Sequence, residues 1–83
     1  MSRPLLINCT HGAEDAERAT LPFIVANVAV TADQQCIVFL TAEAVRIATR
    51  GYADGVRAEG MKPLAEVLRS YLDHGGAVWA CGA

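Results

Sequence analysis

Three short apolar runs, spaced along a chain of 83 residues, constrain the fold more than any other feature. They are Leu5-Leu6-Ile7-Asn8-Cys9, Cys36-Ile37-Val38-Phe39-Leu40 and Ala77-Val78-Trp79-Ala80-Cys81. None alternates cleanly between apolar and polar residues. A continuous apolar run of this length suits a strand covered on both faces, as in a parallel sheet. The β-branched and aromatic residues of the second run strengthen that reading. Pro4 can begin the first strand but could not sit within it, because it brings no N–H to a ladder.

Between the runs the pattern is helical. From Asp15 to about Thr31, Leu21, Ile24, Val25 and Val28 fall at i, i+3, i+4 and i+7. Phe23, Ala26 and Val30 widen that stripe until most of the helix reads as buried. Pro22 predicts a kink or a restart, with Thr20 as the cap. Residues 32–35 read as a turn. Thr41 is placed to cap a second helix carrying Val45, Ile47 and Ala48, with Glu43 in its first turn. Gly51 can stop that helix in a left-handed conformation. Residues 52–62 show no period. Pro63 then opens a third helix at its first position. Leu64, Val67, Leu68, Tyr71 and Leu72 form its apolar stripe, and Arg69 with Asp73 is spaced for an i, i+4 pair. Gly75 and Gly76 end it and release the last run.

The order is therefore β-α-β-α-α-β in one domain, residues 1–83. Strands alternating with helices imply an α/β fold, a three-layer α/β/α arrangement on a parallel sheet with right-handed crossovers. Three strands make a thin sheet, so the expectation is an incomplete domain or one completed by a partner. Hydrophobic residues make up 53% of the chain and charged residues 19%. That is more apolar surface than one small core can hide, and the excess points to a subunit interface or to contact with a missing part of the same domain. The net charge of −2 and the single lysine, Lys62, give no nucleic-acid footprint. The longest uncharged run, residues 19–32, is too short to span a membrane. The first eight residues lack the features of a signal peptide. Three cysteines, an odd number, favour free thiols and a cytoplasmic location.

In an open α/β sheet, sites form beyond the carboxyl ends of the strands. Cys81 ends the last run there, and Cys9 and His11 follow the first run to the same edge. Cys36 begins its strand and belongs at the opposite edge. Cys81 reads either as a nucleophile or as a buried strand-end thiol, since free cysteine is often buried. His11 is a candidate base for Cys81 and Cys9 a candidate resolving thiol. The alternative is that Cys9 fills the strand end while His11 sits exposed beside Gly12. Cys9, His11 and Cys81 give three ligands without a recognised zinc spacing, so no metal is assigned. Residues 12–15 match no dinucleotide or phosphate-loop fingerprint and read as a capped helix start, so no cofactor is assigned. His74 sits in the last turn of the third helix, where positive charge is favourable.

The first strand and loop, Leu5-Leu6-Ile7-Asn8-Cys9-Thr10-His11-Gly12, continue into Asp15-Ala16-Glu17-Arg18-Ala19-Thr20-Leu21-Pro22-Phe23. Further on come Ile37-Val38-Phe39-Leu40-Thr41-Ala42-Glu43-Ala44-Val45 and, after the helix from Pro63, Gly75-Gly76-Ala77-Val78-Trp79-Ala80-Cys81. In this order and spacing the chain resembles the DsrE/DsrF-like family of small α/β proteins, which includes sulfur-relay and YchN-like members. The resemblance covers nearly the whole chain, although family members usually continue for another helix and one or two strands. It implies a cytoplasmic homo-oligomer, a sulfur-handling or thiol-redox protein using Cys81, which in some members accepts sulfur as a persulfide from a donor protein and passes it to an acceptor. The alternative it leaves open is a non-catalytic interaction module of the same fold.

Overall fold

In the computed structural model, which describes residues 3–49 and 51–81, the three apolar runs form one parallel sheet. Its strands are β1 (Leu5–Cys9), β2 (Cys36–Leu40) and β3 (Ala77–Ala80), in the order β1-β2-β3. Helix α1 (Ala16–Thr31) connects the first two strands, and helix α2 (Leu64–Asp73) precedes the third. Register is in step across the sheet: Cys9 pairs with Leu40, and Leu40 with Ala80. The α/β class and the parallel sheet are as the strand–helix alternation predicts.

Helix α1 starts where the sequence places it, with the Asp15 side chain accepting from the Arg18 N–H at 3.1 Å. It then runs through Pro22 as one element, without the expected restart. Thr20 does not cap; its hydroxyl donates to the Ala16 carbonyl at 2.7 Å inside the helix. The buried face also differs from the expected one. Ala19, Thr20, Phe23, Ala26 and Val30 point inward, while Leu21, Val25 and Val28 are 43%, 53% and 65% exposed. Both stripes are apolar, so periodicity alone could not choose between them. The inner stripe holds two alanines, which let the helix axis approach its neighbours closely.

The expected second helix is not α-helical. Ala42–Ala48 winds as a 3-10 helix, and Thr41 makes no side-chain cap. A run this short is a poor α-helix nucleus, and i→i+3 bonds close sooner. Gly51 does take the left-handed conformation, at φ 83°. The aperiodic stretch that follows is not a bare linker. Tyr52–Gly55 forms another 3-10 turn, and Ala53, Val56 and Ala58 are buried. Pro63 caps α2 in an extended conformation rather than opening it from inside.

Helix α2 buries Leu64, Val67 and Tyr71, leaving Leu72 exposed and Leu68 half-buried. Tyr71 meets Phe23 of α1 edge to face, with ring centroids 6.0 Å apart. Its hydroxyl lies 2.9 Å from the Cys36 carbonyl and 2.6 Å from the Ala77 carbonyl, tying α2 to the starts of β2 and β3. Gly76 is required beside it, because a Cβ there would overlap the tyrosine ring. His74 sits with Nδ1 2.7 Å from the Ser70 carbonyl, in keeping with its place in the last turn. Ion pairs among the described residues join Arg18 to Asp15 and Arg46 to Glu43; the expected Arg69–Asp73 pair is not among them.

Strands added in one direction by right-handed crossovers carry their helices on one face. The core face of the sheet holds Cys9, Val38 and Leu40, all fully buried. On the other face, Leu6 is 64% and Trp79 58% exposed, with Asn8 exposed and Ile37 and Phe39 half-buried between them. The described residues place no helix over that face, and the molecule is a slab 37 × 32 × 19 Å.

Candidate functional site

The ladder brings the candidate residues to the carboxyl edge and then separates them. Beyond the last paired row, the Thr41 N–H donates to the Cys9 carbonyl at 3.0 Å and the Cys81 N–H to the Leu40 carbonyl at 2.9 Å. Thr10, Thr41 and Cys81 are therefore the next residues across the edge. Cys36 pairs with Leu5 at the opposite end, as its place at a strand start predicts.

Cys9 is fully buried on the core face. Its Sγ lies 3.7 Å from the His11 carbonyl and 3.8 Å from the Ala19 carbonyl, so the thiol is held as a donor. Burial pushes the Cys9 thiol above its ordinary range; the His11 backbone opposes this, and the Glu14 carboxylate adds a smaller upward push. Cys81 is one register position further on, and successive side chains alternate between faces. It is exposed, on the same face as Trp79. With β2 between them, the backbones at Cys9 and Cys81 are about two strand spacings, roughly 10 Å, apart. A disulfide needs Cα atoms within about 7 Å. The structure thus does not bring Cys9 to Cys81 as a resolving thiol. His11 also lies across β2 from Cys81, and its Nδ1 sits 2.9 Å from the Thr10 hydroxyl.

The exposed position of Cys81 differs from the packed strand-end cysteine that composition alone would favour. Its row neighbour on the open face is Thr41, which was expected to cap a helix and whose hydroxyl instead turns towards β1. Thr41 Oγ1 donates to Asn8 Oδ1 at 3.2 Å, and both side chains lie on the face that carries Cys81. The only signal for them in the sequence is their count from the strand starts, and it becomes legible once the register is known.

The loop at residues 10–14 is fixed from a distance. The Gly12 N–H donates to the Glu14 carboxylate at 2.6 Å, and the Ala13 N–H to the Tyr52 hydroxyl at 2.7 Å. A Cβ at Gly12 would come within 2.6 Å of that hydroxyl and 3.0 Å of the Glu43 carbonyl, so glycine is needed for the close approach. Among the described residues, no three His, Cys, Asp or Glu side chains gather as a metal site. A surface groove of about 750 Å³ runs between α2 and residues 47–49 and 51–54, and Cys9, His11 and Cys81 do not line it. The edge around Cys81 therefore offers an accessible thiol on an apolar surface rather than an enclosed pocket. Among the described residues, no helix is long and apolar enough to cross a membrane.

No curated protein matches the chain. The family model does match it, from the residue before β1 to the last residue, 4–83. On that match, and with the α/β fold and parallel sheet described above, the chain belongs to the DsrE/DsrF-like family.

Proposed function

We propose that the protein is a sulfur carrier of the sulfur-relay type, with Cys81 as the carrier residue. Membership of the DsrE/DsrF-like family supports a sulfur-relay role in general. The observation that carries the choice of residue is the contrast among the three free thiols: Cys9 and Cys36 are buried and Cys81 is exposed. In the transfer step, the Cys81 thiolate attacks the outer sulfur of a donor persulfide, R–S–SH. A bond forms from Cys81 Sγ to that sulfur, the R–S bond breaks, and the donor leaves as its thiolate. Electrons and protons balance without an external oxidant. Passing the sulfur to an acceptor thiolate repeats the step in the other direction. The donor and acceptor are proposed to be proteins, since Cys81 stands beside exposed Trp79 rather than in a pocket.

The test is mass spectrometry of the protein after incubation with a persulfide donor. Cys81 should gain the mass of one sulfur atom, and Cys81→Ser should gain none while keeping its fold. Serine is close to cysteine in size, and at an exposed position the change costs little stability. Sulfur found only on other residues would remove Cys81 from the mechanism.

A second reading rests on a different observation. Leu21, Val25 and Val28 of α1 and Leu6 and Trp79 of the sheet are exposed large apolar residues. They suit a homo-oligomeric interaction module in which Cys81 has no chemical role. The two readings separate on whether Cys81 takes up sulfur.

A further inference from the structure

We propose that the open face of the sheet is the seat of a second copy of this chain, which packs its own open face against it. The inference rests on the reading of the exposed apolar surfaces as oligomer contacts. It goes beyond that reading by naming which surface pairs and with what.

The first ground is charge. The open face carries Leu6, Ile37 and Ala77 in one row and Asn8, Phe39 and Trp79 in the next. Neither row holds a charged residue, and the edge row that follows, with Thr41 in its middle, holds none either. Each copy has a net charge of −2, so two copies repel across their acidic surfaces but can meet here without that cost. The polar side chains of the face already have partners within the chain. Thr41 Oγ1 donates to Asn8 Oδ1 at 3.2 Å, and the Thr10 hydroxyl lies 2.9 Å from His11 Nδ1. Less is therefore lost when water leaves.

The second ground is area. The chain exposes 5332 Å², roughly a tenth more than the ~4,800 Å² expected for a monomeric protein of its mass. One sheet with one layer of helices accounts for the short dimension of 19 Å, so the open face belongs to the broad side of the slab. That side measures 37 × 32 Å, large enough to bury the roughly 800 Å² per copy of a standard stable interface.

The third ground is closure. Parallel sheets normally have both faces covered. The outer stripe of α1 lies on the far side of the slab, so its contact with a neighbour's sheet would be heterologous and would repeat unless it closed into a ring. Face against face is isologous and closes with two copies. The sheets then pack about 10 Å apart, with Leu6, Phe39 and Trp79 between them. Cys81 lies in the last row, at the rim of the contact.

Trp79 is the chain's only tryptophan and is 58% exposed in the single copy, so its fluorescence reads the cover of this face directly. The test uses the full chain, with emission and acrylamide quenching followed from nanomolar to micromolar concentration beside sedimentation. Emission should move to shorter wavelength, and quenching should fall, as the dimer forms. Leu6→Glu should raise the dissociation constant by about a hundredfold, because a two-fold contact meets the change twice. Val28→Glu should leave the Trp79 shift in place, since α1 covers the other side of the sheet. An unchanged dissociation constant in Leu6→Glu overturns the proposal. Should that variant fail to fold, Leu6→Gln decides by the same criterion. An unshifted Trp79 in a chain that sediments as an oligomer overturns this seat and leaves association through another surface. An unshifted Trp79 in a monomer removes both. A shift independent of concentration assigns the cover to the chain itself, and one seen only with phosphatidylcholine vesicles assigns it to lipid; either overturns the proposal.

Discussion

Tyr71 shows how much one side chain can fix. Its ring meets Phe23, fills the space beside Gly76, and presents its hydroxyl to carbonyls at the starts of two strands. Burial, with the neighbouring Cys36, pushes the pKa of its hydroxyl up to about 12, above the ordinary tyrosine range. The raised value means that the folded state holds the proton more tightly than the unfolded chain does. The contribution is fully present below the unfolded value, near pH 10, and is lost as pH rises through the folded one. Urea midpoints should therefore stay flat with respect to this group up to about pH 10 and fall from there towards pH 12. In Tyr71→Phe the fall over that window should be smaller. An equal fall in both proteins would assign the loss to other groups. The same logic of burial separates the cysteines: the fold spends Cys9 and Cys36 on its core and leaves Cys81 outside.

At the scale of elements, α1 carries an unusual residue for its position. Pro22 lies inside the helix, where it removes the N–H that would bond to the Arg18 carbonyl and crowds the preceding turn. The helix persists because its inner stripe, Ala19, Phe23, Ala26 and Val30, is anchored in the core on both sides of the proline. Replacing it should relieve the conflict. Pro22→Ala is expected to raise stability by about 1–3 kcal/mol, the range set by the interior cost of proline less its restraint on the unfolded chain. Chemical denaturation of the two proteins checks this; an unchanged or lower midpoint would mean that Pro22 makes contacts worth as much as the missing hydrogen bond. The 3-10 segment Ala42–Ala48 teaches the converse. A capping residue and apolar spacing were both present in the sequence, yet the segment is too short to nucleate an α-helix, and Thr41 was drawn to Asn8.

For the whole molecule, the decisive fact is that both crossovers lie on one side. A sheet 5 residues long in its first two strands then shows its other face, with Leu6 and Trp79 exposed. The outer stripe of α1 adds a second apolar surface. Such surfaces on a small chain favour association. The protein should sediment above its monomer mass at micromolar concentration, with α1 taking part. Val28→Glu should then weaken association by about tenfold or more, since it replaces apolar burial with a buried charge. Sedimentation as a monomer by the unmodified chain would leave these surfaces without a partner of its own kind.

What the sequence determined by itself was local. Three apolar runs became three strands, Asp15 capped α1, Gly51 took its left-handed turn, and α2 ended before Gly75. These follow from strand composition, capping chemistry and backbone freedom, which act within a few residues. The carboxyl-edge position of Cys9 and Cys81, and the opposite position of Cys36, followed from the same reading once the strands were taken as parallel. Tertiary structure decided everything that depends on a choice between two equal options. It chose which apolar stripe of α1 turned inward, through the close approach that Ala19 and Ala26 permit. It chose the face for each cysteine, because a shift of one residue along a strand reverses the side chain. It also placed β2 between Cys9 and Cys81, and set Thr41 in the row next to the exposed thiol, through a register that no single segment encodes.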